Sequence, residues 1–354
     1  MCDVGKYEPK SKALRVVEDG VFYFAAIGLN HGHVNGMTEG LITAGATLKW
    51  VYDTDEGRVE RFVEKFPGVK VASSEEEIFA DEEVQLVASA CITSERADLG
   101  IRVMKAGKHY FTDKAPMTTL DQLERVTKTC AETGKKFAVW YSERIASESA
   151  VHAGTLIKEG AIGKVVQVLG LGPHRLNAGG RPDWFFKKEQ YGGILCDIGS
   201  HQIEQFLYYT GATDATIVNS KVANCNNPEY DELEDYGEAT LLGDNGASGF
   251  FRVDWLTPKG LSTWGDGRTV ILGTEGYIEL RKYIDIAHSK AGDHLYLVNG
   301  DGEFNMCLEG KVGLPYFGEL ILDCINETEF AMTQEHTFKA AELCLIAQER
   351  ADAE

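Results

Sequence analysis

Asp197 and His201 lie four positions apart in Gly192-Gly193-Ile194-Leu195-Cys196-Asp197-Ile198-Gly199-Ser200-His201. If the segment after Gly193 is one helix, both side chains project from the same face, and the carboxylate can orient or tune the imidazole. An imidazole near its ordinary pKa can move a proton at neutral pH. Lys114 follows His109–Thr112, which reads as a strand. The carboxyl edge of a parallel sheet is where such folds bind ligands, and an ammonium there stabilises charge developing on oxygen. A proton acceptor beside such a cation suits the oxidation of an alcohol, in which a proton leaves oxygen as a hydride leaves carbon. Each residue taken alone has an ordinary reading, as a solvated lysine or a structural histidine. The case rests on the set.

A second group begins at Phe22-Tyr23-Phe24-Ala25-Ala26-Ile27-Gly28-Leu29-Asn30-His31-Gly32-His33, a strand running into a turn and a helix. A Rossmann fold places a pyrophosphate at such a turn, where glycine lets the backbone approach and the helix N-terminus supplies N–H donors. Gly28 fits the first glycine of G-x-G-x-x-G. Asn30 stands in for the second, since Asn tolerates left-handed backbone, and His33 for the third. His31 lies in the same turn, and His33 is placed to face the nicotinamide. Asp53 closes the second strand, in Val51-Tyr52-Asp53-Thr54-Asp55. A carboxylate there accepts from the adenosine ribose hydroxyls and repels a 2′-phosphate, which predicts NAD over NADP. Asp55 reads as the cap of the next helix.

These residues need a scaffold, and the apolar pattern provides one. Strands are expected at Phe22–Ile27, Thr47–Tyr52, Val84–Ala90, His109–Thr112 and Phe137–Trp140. Helices are expected between them, as in βαβ units with right-handed crossovers. After residue 145 the pattern changes. A helix over 147–160 and the strand Val165–Gly170 come first. One helix over Ile194–Tyr209 precedes a series of strands at Ala215–Ala223, Gly237–Leu242, Gly249–Trp255, Thr269–Leu272, Gly276–Arg281 and His294–Val298. Strands following strands indicate a mostly antiparallel sheet, and residues 316–352 return to helix. The expected fold is therefore α/β: an N-terminal Rossmann parallel sheet over residues 1–144, and an α+β domain over 145–354. Residues 1–20 are an N-terminal extension beyond what the fold needs.

Gly28 with His33, then Ala106-Gly107-Lys108-His109-Tyr110-Phe111-Thr112-Asp113-Lys114-Ala115-Pro116, then Gly192–His201, together resemble the glucose–fructose oxidoreductase / inositol dehydrogenase / rhizopine catabolism (Gfo/Idh/MocA) family over roughly residues 22–350. The resemblance implies a nicotinamide cofactor, carbohydrate-like substrates, a large open sheet in the C-terminal domain, and dimers or tetramers formed through it. It points to Lys114 with His201 as the catalytic pair, supported by Asp197, and leaves open which is the base. Thr93 stands in the family's Thr-Pro segment and joins the cofactor residues. The chain departs from the family by the Ala115 inserted between Lys114 and Pro116, by Ser94 in place of proline, and by Glu204 where aspartate is usual.

The segment from Gly172 to Phe186 mixes hydrogen-bonding groups with aromatic rings, as a sugar site requires. His174, Arg175, Asn177 and Trp184 are the candidate substrate contacts, with Asp197 and His201. Tyr141–Arg144 could also reach the cleft. Trp255 and the Trp264–Arg268 segment are candidates for a loop entering the site or for a subunit contact. His174, Asp197 and His201 are zinc-compatible ligand types, but hydride chemistry on nicotinamide needs no metal, and none is expected. A net charge of −20 argues against nucleic acid and anionic membranes as partners. The apolar run Val21–Leu29 is far shorter than the roughly 20 residues of a membrane span, and residues 1–20 contain no apolar signal core. A cytoplasmic NAD-dependent dehydrogenase of a sugar, polyol or glycoside is expected, the alternatives being an enzyme that keeps NAD bound and uses a transient oxidation to eliminate or epimerise a glycoside, or a non-catalytic NAD-binding regulator. The eight scattered cysteines are expected to be reduced.

Overall fold

A computed structural model describes residues 5–9 and 14–353. Six parallel strands form the first sheet: β1 (Tyr23–Ile27), β2 (Thr47–Tyr52), β3 (Lys70–Val71), β4 (Val84–Ser89), β5 (His109–Asp113) and β6 (Phe137–Trp140). Their order is β3-β2-β1-β4-β5-β6, the doubly wound arrangement. Crossovers are made by α1 (His33–Thr43), α2 (Glu56–Lys65), α3 (Glu75–Ala80), α4 (Arg96–Lys105) and α5 (Leu120–Thr133). The strands are nearly continuous apolar runs because helices cover both faces; Leu86, Val87 and Ala88 are fully buried. The chain order reverses between β1 and β4, and this opens a crevice at their carboxyl ends.

The chain then runs through α6 (Ser142–Ile145), α7 (Glu148–Lys158), β7 (Val165–Pro173), α8 (Lys188–Tyr191), α9 (Ile194–Asp197) and α10 (Gly199–Thr210). Seven strands follow: β8 (Ala215–Ala223), β9 (Tyr236–Gly243), β10 (Ser248–Asp254), β11 (Arg268–Gly273), β12 (Gly276–Arg281), β13 (His294–Asn299) and β14 (Gly302–Cys307). With β7 they form an eight-stranded sheet, β14-β13-β12-β11-β7-β10-β9-β8, antiparallel except where β10 pairs with β7. Helices α11 (Tyr316–Asn326) and α12 (Gln334–Asp352) end the chain. One face of the large sheet lies under α10 and α12. The approach of α10 is close: a Cβ on Gly170 would lie 2.2 Å from Gln202 Oε1. The other face is uncovered, and Leu169, Phe250, Leu242, Leu272 and Tyr277 stand on it 37–49% exposed.

Two expectations change. The helix expected over Ile194–Tyr209 is two, α9 and α10, with Ile198 between them. Strands β3 and β14 were not expected, both being edge strands, the first only two residues long and the second with a weak apolar pattern. The N-terminal stretch packs against both halves. Tyr7 donates to Asp301, accepts from Asn299 and packs on Phe304, while Val16 N–H donates to Ala44 O. Residues 1–4 and 10–13 of that stretch, Cys2 included, lie outside the described residues. The seven described cysteines are unpaired. Among the described residues no helix is long and apolar enough to cross a membrane.

Candidate active site

The turn after β1 is held tightly. Gly28 has a φ of 74°, and a Cβ there would lie 2.6 Å from Cys91 Cβ, so glycine is required on both counts. Its N–H donates to Tyr52 O, and Ala90 N–H donates to its carbonyl. Asn30 is not among the described residues with positive φ, so it does not serve as the left-handed substitute expected of it. Helix α1 starts after Gly32 with no side-chain cap from that residue and open space beside it, while its first N–H groups bond within the turn: His33 N–H to His31 Nδ1 (3.3 Å), Val34 N–H to His31 O (3.3 Å) and Asn35 N–H to Gly32 O (3.2 Å).

Asp53 sits just beyond β2 with its side chain only 3% exposed. It accepts from Leu29 N–H (2.6 Å), Asp55 N–H (2.8 Å) and Arg58 Nη1 (3.0 Å). Three of about four acceptor positions are thus occupied, leaving room for one further bond at Oδ2 rather than for both ribose hydroxyls. Asp55 caps α2 as expected, accepting from Arg58 N–H.

At the end of β5, Asp113 is almost fully buried. It accepts from Lys114 N–H (2.8 Å) and Arg96 (3.3 Å), and pairs with His33 Nδ1 (2.9 Å). Burial opposes its ionisation, but His33 and Arg96 outweigh that and hold it well below the usual carboxylate range. His31 reaches the same carboxylate at 3.4 Å, and burial pushes its pKa well down. Ligand atoms of His31, His33 and Asp113 lie within 4.8 Å of one another, a grouping a metal could use; here Arg96 supplies the countercharge. Arg96 also donates from Nη1 to the carbonyls of Lys114 and Ala115, and from Nε to Cys91 O at 2.9 Å. The Lys114–Ala115 peptide is cis, at the site of the inserted residue.

Lys114 and Asp197 form a direct ion pair across the cleft through Nζ and Oδ1. Burial raises the Asp197 pKa, but Lys114, Arg181 and His31 together lower it further. Asp197 Oδ2 and His201 Nδ1 are buried without a hydrogen-bond partner. Asp197 and His201 are not bonded to each other: the break at Ile198 separates them, and Asp197 holds Lys114 rather than the imidazole. Burial drives the His201 pKa down to about 3, against the pull of Glu143. That of His174 falls to about 4 for the same reason.

Behind the histidines lies a buried charge network that the sequence suggested only as a segment. Glu143 Oε2 accepts from Gln202 (2.8 Å) and Lys282 (3.1 Å), while Oε1 has no partner and lies 3.9 Å from His174 Nε2. Burial raises the Glu143 pKa, but Lys282, His201 and His174 bring it to about 2. Glu204 pairs in the same way with Arg144 and His336.

The groups meet in one cleft of about 270 Å³. His31, His33, Thr93, Asp113 and Lys114 line one wall; His174, Arg181, Trp184, Asp197, His201, Trp255 and Trp264 line the other. Gly28, Asn30 and Asp53 lie outside it, along the Rossmann crevice. Arg175 lines the cleft, but its Nη2 donates to the carbonyls of Pro258, Leu261 and Thr263, so it braces a loop. Asn177 is exposed and absent from the lining; its φ of 49° makes it a backbone turn residue. Trp184 is buried in the wall, and Trp264 stands at the rim, 44% exposed, its ring tilted against those of His174 and Tyr283.

Comparison with known proteins agrees with this geometry. Residues 23–141 match the oxidoreductase family with an NAD-binding Rossmann fold, and residues 151–279 match the GFO/IDH/MocA C-terminal domain. The chain is 26% identical over 285 residues to scyllo-inositol 2-dehydrogenase (NAD(+)) of Bacillus subtilis strain 168, covering 78% of this chain and 79% of that one. It is 25% identical over 211 residues to D-xylose dehydrogenase of Paenarthrobacter nicotinovorans, covering 58% and 53%. A solved structure named as an oxidoreductase, from Erwinia carotovora atroseptica SCRI1043, is 52% identical with a TM-score of 0.91, covering 93% of this chain and 98% of that one. Levoglucosan dehydrogenase in complex with NADH shares the fold at 17% identity, with a TM-score of 0.76 over 94% and 97% of the two chains. The chain belongs to the Gfo/Idh/MocA family of NAD-binding oxidoreductases.

Proposed function

We propose that the protein is a dehydrogenase that moves a hydride between NAD and a hydroxyl carbon of a sugar or polyol. The observation that carries the reading is the convergence of Lys114, Asp197 and His201 in one aromatic-walled cleft, from positions 83 residues apart. Bound NAD supplies the hydride acceptor. Gly28 and the turn that follows it, Asp53 and Thr93 would hold it, with His31 and His33 near its reactive end.

The remaining chemistry belongs to side chains. Ionised Asp197 fixes the Lys114 ammonium, which donates to the reacting oxygen and stabilises its developing charge. His201 is uncharged at neutral pH in the free protein. The negative charge developing on the substrate oxygen beside it raises its basicity, and it takes the hydroxyl proton. The carbon loses its hydrogen with the bonding pair, the oxygen loses its proton to His201, and a carbonyl forms. Trp184, Trp255 and Trp264 offer apolar faces to the C–H surface of a sugar. Relatives named for inositol and xylose support this substrate class.

We assign residues 1–144 to the cofactor-binding part and 145–354 to the substrate-binding part. The uncovered face of the large sheet, with Leu169 and Phe250 on adjacent strands, is assigned to a second copy of the chain. Sedimentation of the protein and of Phe250→Glu tests this, with dissociation expected in the variant. A reducing cytoplasm suits the unpaired thiols.

The test of the function is the absorbance of reduced nicotinamide while sugars, inositols and glycosides are added with excess NAD. Continuous growth of the band establishes the dehydrogenase. A change limited to the amount of protein, and unaffected by added NAD, would mean a captive cofactor and overturn free turnover.

A further inference from the structure

Most positive charges around the cleft are already engaged. Lys114 is paired with Asp197, and Arg96 donates to three carbonyls and Asp113. Arg175 braces the 258–263 loop, and Lys282 binds Glu143 and Gln205. Arg181 is different. Its guanidinium carbon lies 4.3 Å from the Phe185 ring centre and 4.7 Å from that of Trp255, so two rings fix its position. Its Nε donates to Leu176 O at 3.0 Å. Among the described residues no carboxylate comes within ion-pair distance of it, and neither Nη atom has a partner. The nearest source of negative charge it feels is Asp197, whose Oδ1 belongs to Lys114. Burial lowers the Arg181 pKa against that attraction, the mark of a partly desolvated cation short of a counterion.

A guanidinium on an aromatic platform, with two Nη groups free at a ligand cleft, is a fork for a planar anion. We propose that the substrate carries a carboxylate, as aldonic and uronic acids do, and that Arg181 binds it while Lys114 and His201 act on a hydroxyl of the same molecule. One unpaired guanidinium matches a monoanion. A phosphate dianion would call for a second cation, and the neighbouring ones are taken. In a protein of net charge −20 such a ligand needs a local positive site. The inference rests on the dehydrogenase reading for its reaction, but not for its binding.

The test pairs each acid with its neutral counterpart: D-glucuronate with D-glucose, D-galacturonate with D-galactose, and D-gluconate with D-glucitol, with glucose 6-phosphate alongside. Turnover is followed by nicotinamide absorbance. Binding to the protein saturated with NADH is followed by tryptophan fluorescence, since Trp184 and Trp255 flank the site. The acids are expected to exceed their neutral partners by about 100-fold in kcat/KM or in affinity, the size of one charge-assisted pair. In Arg181→Gln that ratio should collapse to near one, and Arg181→Lys should keep part of it. Tight binding of acids without any turnover would sustain the inference while sinking the dehydrogenase reading. Turnover of neutral sugars with no preference for their acids would do the reverse. An unchanged ratio in Arg181→Gln, a preference for the phosphate ester, or a loss confined to NADH binding would each overturn the role given to Arg181.

Discussion

The two walls of the cleft are built on opposite principles. On the Rossmann wall the buried charged groups are engaged: Asp113 has three close partners and Arg96 four. On the facing wall Asp197 Oδ2, His201 Nδ1 and the indole nitrogens of Trp184 and Trp255 are buried without a partner, and the Nη groups of Arg181 are free. An engaged buried group supports the fold, whereas an unpaired one costs about 1–3 kcal/mol and persists where a ligand or a reaction uses it. One wall is a finished scaffold for a constant cofactor, and the other is held incomplete for a substrate.

The contrast predicts opposite responses to mutation. His201→Leu should lower kcat by about 10³-fold, within the range for loss of a proton acceptor. Its melting temperature should hold or rise, because an unpaired buried nitrogen is removed. A large fall in stability would show that His201 is structural. Lys114→Ala should lose activity at least as severely.

Asp113→Asn lies on the finished wall and should act through stability. It leaves Arg96 buried beside a neutral group, at a cost of about 3 kcal/mol in denaturant unfolding. A variant as stable as the parent would break the comparison.

Acidity probes the histidines. His201 at about 3, and His174 and His109 at about 4, are all depressed first by burial from an ordinary value of 6.5. The unfolded chain therefore binds more protons between about pH 4 and 6.5. Stability should be level above pH 6.5 and fall below it, by about 1.4 kcal/mol per pH unit for each histidine. In the same range kcat/KM should show no limb near 6.5; such a limb would mean that His201 is solvated.

The smallest effect is expected at Asp53. Asp53→Ser removes a carboxylate and releases Arg58, a ready partner for a 2′-phosphate. About a tenfold gain in kcat/KM for NADP is expected, measured against NAD.

The scaffold was legible because burial on both faces writes itself as apolar runs, such as Val84–Ala90. Lys114, Asp197 and His201 were legible because each sits at a punctuated element end. The partners were not. Arg175 has the right chemistry for a substrate contact, but carbonyls 83–88 residues away take its donors. Arg96 and Lys282 carry no local signal, since each finds its place only when distant segments meet. Arg181 lies within the flagged polar and aromatic segment, but only the fold shows that it, rather than Arg175, keeps free donors. The split at Ile198 was hidden because helical spacing continues across it. Asn177 looked like a ligand because a side-chain amide reads the same in a wall or in an exposed turn.

The start of the chain adds a mechanical constraint. Tyr7 is fastened to the end of the large sheet and Val16 to the Rossmann half. The five links between Pro9 and Leu14 cannot stretch beyond about 18 Å, whatever path they take. Any breathing of the two halves is therefore leashed along that edge, and a hinge motion there has a built-in stop set by a count of residues rather than by the strength of an interface.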